Sequence, residues 1–358
     1  MQIDELLKSM VNKGASDLHL TVTSPPVLRI DGELIPQEDL PPMTAKDIEL
    51  VLEQIATQDQ RSVLDREWEL DCTYTLPGLA RFRVNALRQR GVISLAFRFV
   101  PFYVPSIDEW GLPQILKELI LKPKGLILVT GPSGSGKSTT LAAMLSHLNG
   151  NATRSVITIE DPIEFIFRNK KCLIRQRDLR DDTKSFATAV IHALRHDADV
   201  IVIGEMRDLD TISAAITVAE TGHLVLGTLH TVDAPQSIDR IIDVFPYGQQ
   251  QQIRIQLSQV LAAVISQTLL PRIDGGRIAA FEIMLASETI KRKIRETKVF
   301  EIPVTIEVST PEGMQTLDQA LADLVKRKIV KLEDALTRST NPVKLHRFLQ
   351  SQVEVVTC

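Results

Sequence analysis

GPSGSGKS, Gly131 to Ser138, fits the pattern G-x-x-x-x-G-K-[ST]. A stretch of this kind binds phosphates. Its glycines let backbone N–H groups turn inward, and the helix that follows adds the positive end of its dipole. Gly131, Pro132, Ser133, Gly134, Ser135 and Gly136 make the loop, and Lys137, Ser138 and Thr139 open the helix. Lys137 is expected to reach the β- and γ-phosphates and Ser138 to bind Mg²⁺, so ATP and Mg²⁺ are the expected cofactors. The context agrees, because an apolar run precedes the loop and the helix-like TTLAAMLSHL follows it.

Hydrolysis at such a loop needs an acid to hold Mg²⁺ and usually another to position water. Ligands of open parallel sheets sit off the carboxyl ends of strands, so acids directly after apolar runs are the candidates. VITIEDPIE supplies Glu160 and Asp161, with Glu164 a few residues on, and DVIVIGEMRD supplies Glu205. The second stretch is an altered Walker B motif. The usual aspartate position is Gly204, and Glu205 is the acid expected to polarise the attacking water. The Mg²⁺ role then passes to Asp161, or to Glu160 through water, and Glu164 is a further catalytic candidate.

GHLVLGTLHT places His223 and His230 at the two ends of an apolar run. Seven strand residues at ~3.3 Å each separate their backbones by ~23 Å, and the odd offset sends the side chains to opposite faces. Within one subunit they cannot share a metal ion, whose ligands lie at ~2.1 Å. His230 falls on the rim of the phosphate loop, where a γ-phosphate or a neighbour's nucleotide can be sensed. His223 falls at the opposite end of the strand.

These residues need strands and helices to hold them. Leu126–Thr130, Val156–Ile159, Val200–Ile203 and Leu224–Leu229 are near-continuous apolar runs separated by helix-like segments, the pattern of buried parallel strands in an α/β domain. Earlier, Ile3, Leu6, Leu7, Met10 and Val11 follow helical spacing up to Gly14. Leu18, Leu20 and Val22 alternate as in a strand, and Asp31–Gly32 marks a hairpin between Val27–Ile30 and Leu34–Ile35. Residues 45–64 read as helical, and residues 79–101 as β-rich. The first hundred residues therefore form a small α+β domain, residues 101–113 a proline-marked linker, and residues 114–358 the α/β domain with a C-terminal helical region.

Composition narrows the function. The chain is 358 residues long with a formal net charge of -4, which gives no global pull toward nucleic acid or anionic membrane. Its N-terminus lacks the basic start and apolar run of a signal peptide, and no stretch approaches the ~18 apolar residues of a membrane span, so membrane insertion is not expected. Cys72, Cys172 and Cys358 are spaced neither for a disulfide framework nor for zinc, which suits a reducing cytoplasm.

Four ordered boxes now resemble one family. GPSGSGKSTT, ITIEDPIEF, VIVIGEMRDLDT and AETGHLVLGTLHT look like the Walker A, Asp box, atypical Walker B and His box of the secretion-ATPase superfamily. Within it they are most similar to the type IV pilus twitching-motility (retraction) ATPases. SDLHLTVTSPPVLRIDGEL, IRIQLSQVLAAVISQTLLPR and EGMQTLDQAL extend the likeness over nearly the whole chain. The resemblance implies an N-terminal PAS-like domain, a RecA-like P-loop domain and a homohexameric ring. The ring would work at the cytoplasmic face of an inner-membrane pilus platform protein, possibly beside a paralogous motor ATPase. It also implies functional roles for both His223 and His230, and arginines of the first domain that reach toward the nucleotide: Arg81, Arg83 and Arg98. The chain opens at the PAS-like domain without a four-cysteine module, which favours retraction. In place of an Ala-Ile-Arg-Asn-Leu segment it carries Thr289, Ile290, Lys291 and Arg292, which leaves an accessory or divergent motor as the alternative.

Two other classes compete. A nucleic-acid-driven ATPase would use the basic run KRKIRETK, but aromatics for base stacking make up only 4% of the chain. A nucleotide-sensing ring subunit without catalysis would be expected to lack Lys137 or Glu205, and both are present.

Overall fold

A computed structural model describes residues 2–30, 32–100 and 104–350. Asp31 of the expected hairpin turn, the start of the expected linker and residues 351–358 lie outside the described residues. The chain divides into two compact units, Met1–Tyr103 with Glu164–Ile166 and Val104–Ile163 with Phe167–Cys358.

Period-two patterning builds the first unit. Strands β1 (Asp17–Leu20), β2 (Val27–Ile30), β3 (Glu33–Pro36), β4 (Glu69–Leu76), β5 (Ala80–Gln89) and β6 (Val92–Val100) form an antiparallel sheet in the order β3-β2-β1-β6-β5-β4. One face buries Leu18, Leu20, Phe82, Val84, Leu95 and Phe97 in a core shared with helices α1 (Ile3–Asn12), α2 (Ala45–Ile55) and α3 (Gln58–Glu67). The helical stretch expected over residues 45–64 is divided into two helices. Thr57 accepts from the Gln60 amide while the Gln60 side chain accepts from the Thr57 amide, and this reciprocal cap starts a new helix.

The second unit is a mixed sheet of seven strands, ordered β13-β12-β7-β11-β10-β8-β9. The four apolar runs are its centre: β7 (Gly125–Thr130), β8 (Ser155–Glu160), β10 (Val200–Ile203) and β11 (Leu224–Leu229). All pair in parallel, so their carboxyl ends share one edge. The flanks add three further strands to these four. β9 (Leu173–Asp178) adds a parallel edge strand, and β12 (Leu261–Pro271) pairs parallel to β7 but antiparallel to β13 (Arg277–Leu285).

Helices α4 (Ile115–Ile120), α5 (Lys137–Asn151), α6 (Phe186–Ala193), α7 (Leu209–Glu220), α8 (Ala234–Asp243) and α9 (Tyr247–Val260) accompany these strands. Two large apolar clusters, one containing Ile201, Ala215 and Ile238 and the other Ile127, Met144 and Val202, fill the core of this unit. Toward the C-terminus come α10 (Glu288–Arg295), α11 (Ile302–Val308), α12 (Leu317–Lys326), α13 (Leu332–Arg338) and α14 (Pro342–Gln350), the last three sharing a smaller cluster around Leu321 and Leu345. The proline-marked stretch read as linker contributes Ile107 and Leu112 to the core of this unit, because its apolar residues fall between the prolines. No helix among the described residues is long and apolar enough to cross a membrane. The molecule is thus an α/β protein, an antiparallel-sheet unit followed by a mixed parallel sheet.

Candidate active site

Strand β7 delivers the phosphate loop to the carboxyl edge. Thr130, its last residue, pairs with Leu229, and the Gly131 amide donates to the Leu229 carbonyl at 3.3 Å. The loop therefore starts beside His230. Lys137 Nζ donates to the carbonyls of Gly131 (2.8 Å) and Pro132 (3.1 Å), so its ammonium lies across its own loop. Ser138 and Thr139 stand half-buried in the first turn of α5, whose opening amides have no intrahelical acceptors.

The acids expected at strand ends are there, and they differ in surroundings. Glu160 closes β8 and accepts from Thr158 Oγ1 (2.6 Å) and Gln176 Nε2 (3.1 Å). Asp161 is exposed and lies 3.6 Å from an Arg180 guanidinium nitrogen. Glu205 follows β10, with its side chain largely buried. Its Oε1 takes a hydrogen bond from Arg207 Nε and stands 2.9 Å from His230 Nε2, and its Oε2 has no hydrogen-bond partner among the described residues. Burial alone would raise the Glu205 carboxyl, but Arg207 and His230 outweigh it and hold the group below the usual carboxylate range. Arg207 also feels the charge of Asp161. Glu205, His230, Arg207, Asp161 and Arg180 thus make a charged group along the ends of β8, β10 and β11. Neither arginine belongs to a motif that marks it in the sequence. Arg207 sits two residues after Glu205, and that proximity is the signal that was available.

Gly204 has a steric reason. A Cβ there would meet the Glu160 Cα and the Ile159 carbonyl oxygen, both at 3.1 Å. Its amide donates to that same carbonyl (2.7 Å), so β8 and β10 approach closely and the usual Walker B aspartate would press on the β8 backbone.

His223 lies at the other end of β11 from His230. Its Nδ1 is within hydrogen-bond distance of Thr221 Oγ1 (3.0 Å) and the Val218 carbonyl (3.3 Å) at the C-terminal end of α7. Glu164 is exposed in the connection between β8 and β9. In the antiparallel sheet, Arg83 lies directly opposite Arg98, and Arg81 is two residues from Arg83, so all three share the face turned away from Phe82 and Val84. Arg98 Nε donates to Asp17 (2.8 Å) and Arg81 Nη2 to Thr73 Oγ1 (2.9 Å).

The second unit thus presents on one rim a glycine-built loop, a lysine, a carboxylate kept ionised and a histidine on that carboxylate. Comparison with known proteins agrees. The family model described as "Type II/IV secretion system protein" matches residues 1–298. The chain is 46% identical over 342 residues to the type IV pilus "retractation" ATPase PilT of Pseudomonas aeruginosa, covering 96% of this chain and 99% of that protein. To the type IV pilus ATPase PilU of the same organism it is 39% identical, covering 98% and 93%. Among solved structures, the pilus retraction motor PilT with bound ADP superposes with a TM-score of 0.91 at 44% identity, covering 97% of this chain and 99% of that one. The chain belongs to the type II/IV secretion system protein family.

Proposed function

We propose that this chain is a subunit of an ATP-hydrolysing motor that drives type IV pilus retraction, and hence twitching motility. The observation that carries the reading is the placement of the phosphate loop beside the Glu205–His230 pair on one sheet edge. The similarity to the retraction ATPase PilT, at 46% identity over nearly the whole of both chains, supports retraction.

In this reading, Lys137 leaves the carbonyls of Gly131 and Pro132 and turns to the β- and γ-phosphates, which the loop amides and the α5 dipole also hold. Glu205 stays ionised, and its Oε2 accepts a hydrogen bond from the attacking water. His230, on the same carboxylate, reports whether a γ-phosphate is present. Ser138 with Asp161 or Glu160 fits Mg²⁺. The donors are oxygens, and no group of three or more His, Cys, Asp or Glu among the described residues could cage a metal by itself. Mg²⁺ keeps several waters and takes few protein ligands. When bound, the ion would neutralise charge on the β- and γ-phosphates. Arg81, Arg83 and Arg98 supply guanidinium charge to the nucleotide on closure, coupling chemistry to motion. Glu164 belongs to the same reading as a catalytic candidate. His223, with its hydrogen bonds at the end of α7, acts on the fold rather than on the chemistry of its own subunit.

The domains of this reading are residues 1–100 (PAS-like), the connection 101–113 and the RecA-like domain 114–358. Six such subunits form a ring at the inner face of the inner membrane, against a platform protein and with room for a paralogous motor, without contacting nucleic acid. The nucleotide site is tested by titrating ADP into the full chain and Lys137→Ala. Wild type is expected to saturate and the variant to lose affinity about 100-fold, by roughly 3 kcal/mol. Equal affinity in the two proteins would sink the reading.

A further inference from the structure

In VISQTLLPR, Gln267 lies beneath the phosphate loop. Gln267 lies in β12, next to β7, and is only 3% exposed. Its Nε2 donates to the Ser135 carbonyl at 2.7 Å. Its backbone carbonyl meets the start of the loop, where a Cβ on Gly131 would come within 2.3 Å of it. A Cβ on Gly136 would stand 3.2 Å from Gln267 Nε2. Both glycines of G-x-x-x-x-G-K-[ST] therefore rest on this one residue, and a side chain at either would push the loop away from it.

We propose that Gln267 is a positioning residue for the nucleotide, holding the Ser135–Gly136 peptide so that the Gly136 N–H faces the phosphates. The peptide unit is planar and trans, so its C=O and N–H point in opposite directions. Tying the Ser135 carbonyl down to the sheet turns the Gly136 N–H outward into the loop. Without the tie, the peptide can rotate and bring a carbonyl dipole toward the anion, which weakens the anion-binding concavity. The inference rests on the nucleotide-binding reading above.

A role in fold stability alone explains the residue poorly. Gln267 Oε1 and Ser135 Oγ are both buried without hydrogen-bond partners among the described residues. A half-satisfied buried amide costs stability, and an unbranched apolar side chain of similar length would avoid that cost. Gln267→Met should therefore leave the nucleotide-free melting temperature unchanged or higher while weakening nucleotide binding.

The test uses the full chain. ADP affinity and melting temperature without nucleotide are measured for wild type, Gln267→Met and Gln267→Leu, with KM and kcat for ATP. Expected are a Kd for ADP raised about tenfold, the loss of one hydrogen bond in the loop, and a KM raised more than kcat falls. The melting temperature should not fall. Unchanged Kd and KM in whichever variant folds would overturn the proposal. A large fall in melting temperature in both variants, without a change in affinity, would overturn it in favour of a structural role. Wild type that fails to bind ADP would instead count against the nucleotide site itself, which separates the two readings.

Discussion

Glu205→Gln is expected to lower steady-state ATP hydrolysis by about 10²–10³-fold, the range for loss of a group that polarises an attacking water. ADP affinity should stay within about threefold, roughly 0.6 kcal/mol, because the residue touches water rather than phosphate in this account. The substitution is nearly isosteric. The carboxamide oxygen can still accept from Arg207 and His230, which both use Oε1 in the native side chain. What is lost is the negative charge, and with it the second oxygen that carries no other hydrogen bond. A pH profile adds a check. Arg207 and His230 together hold the Glu205 carboxyl below its usual range against the opposing effect of burial, so the group stays ionised down to moderately acidic pH. The acid limb of the native rate profile should accordingly fall below the ordinary glutamate range. Rates of wild type and variant that are equal at all pH values would remove Glu205 from the chemistry.

Glu282→Gln is expected to stabilise the fold at pH 8 and to leave it nearly unchanged at pH 4.5. Glu282 lies on β13, opposite Ser266 of β12, and its Oε1 accepts from the Ala234 amide at 2.8 Å where α8 begins. Burial, with smaller contributions from Asp233 and Asp318, pushes its carboxyl up to about 7, while the Ala234 hydrogen bond pulls the other way. The sign follows from proton linkage. Below pH 4.5 the side chain is protonated in both folded and unfolded chains. Between pH 4.5 and about 7 the unfolded chain ionises and the folded one resists, so the stability present at low pH is lost as pH rises, levelling off above 7. The difference amounts to about 3 kcal/mol, a large part of the stability of a marginal domain. A neutral carboxamide keeps the acceptor for Ala234 and removes the ionisation. Thermal melts of wild type and variant at the two pH values read the effect directly. A variant no more stable than wild type at pH 8 would show that the buried carboxyl does not carry it.

The parts of the site that the sequence shows are those set by local pattern. A strand, a glycine-rich turn and a helix start are contiguous, so the phosphate loop is legible in Gly131 to Ser138. Acids at the ends of apolar runs mark the carboxyl edge and place Asp161 and Glu205 on it, and His230 follows its own apolar run to the same edge. What escapes is what sheet order brings together. Gln267 lies 132 residues beyond Ser135 and meets it only because β12 pairs with β7. Arg207 reads as an exposed charge ahead of the Asp208 helix cap, and its bond back to Glu205 depends on the path of the turn. Strand β12 was hidden for another reason. Helix α9 ends at Val260 and the strand begins at Leu261, with no glycine, proline or polar loop to mark the change. The break between α2 and α3 was legible in principle, because Thr57 and Gln60 have the spacing of a reciprocal cap.

The most direct measurement of the central claim is made in cells. In a strain lacking this gene alone, surface pili are counted by electron microscopy and twitching is scored on agar. The account expects excess pili and no twitching, restored by the wild-type gene and not by the Glu205→Gln allele. Loss of pili, or twitching that proceeds unchanged, would contradict it.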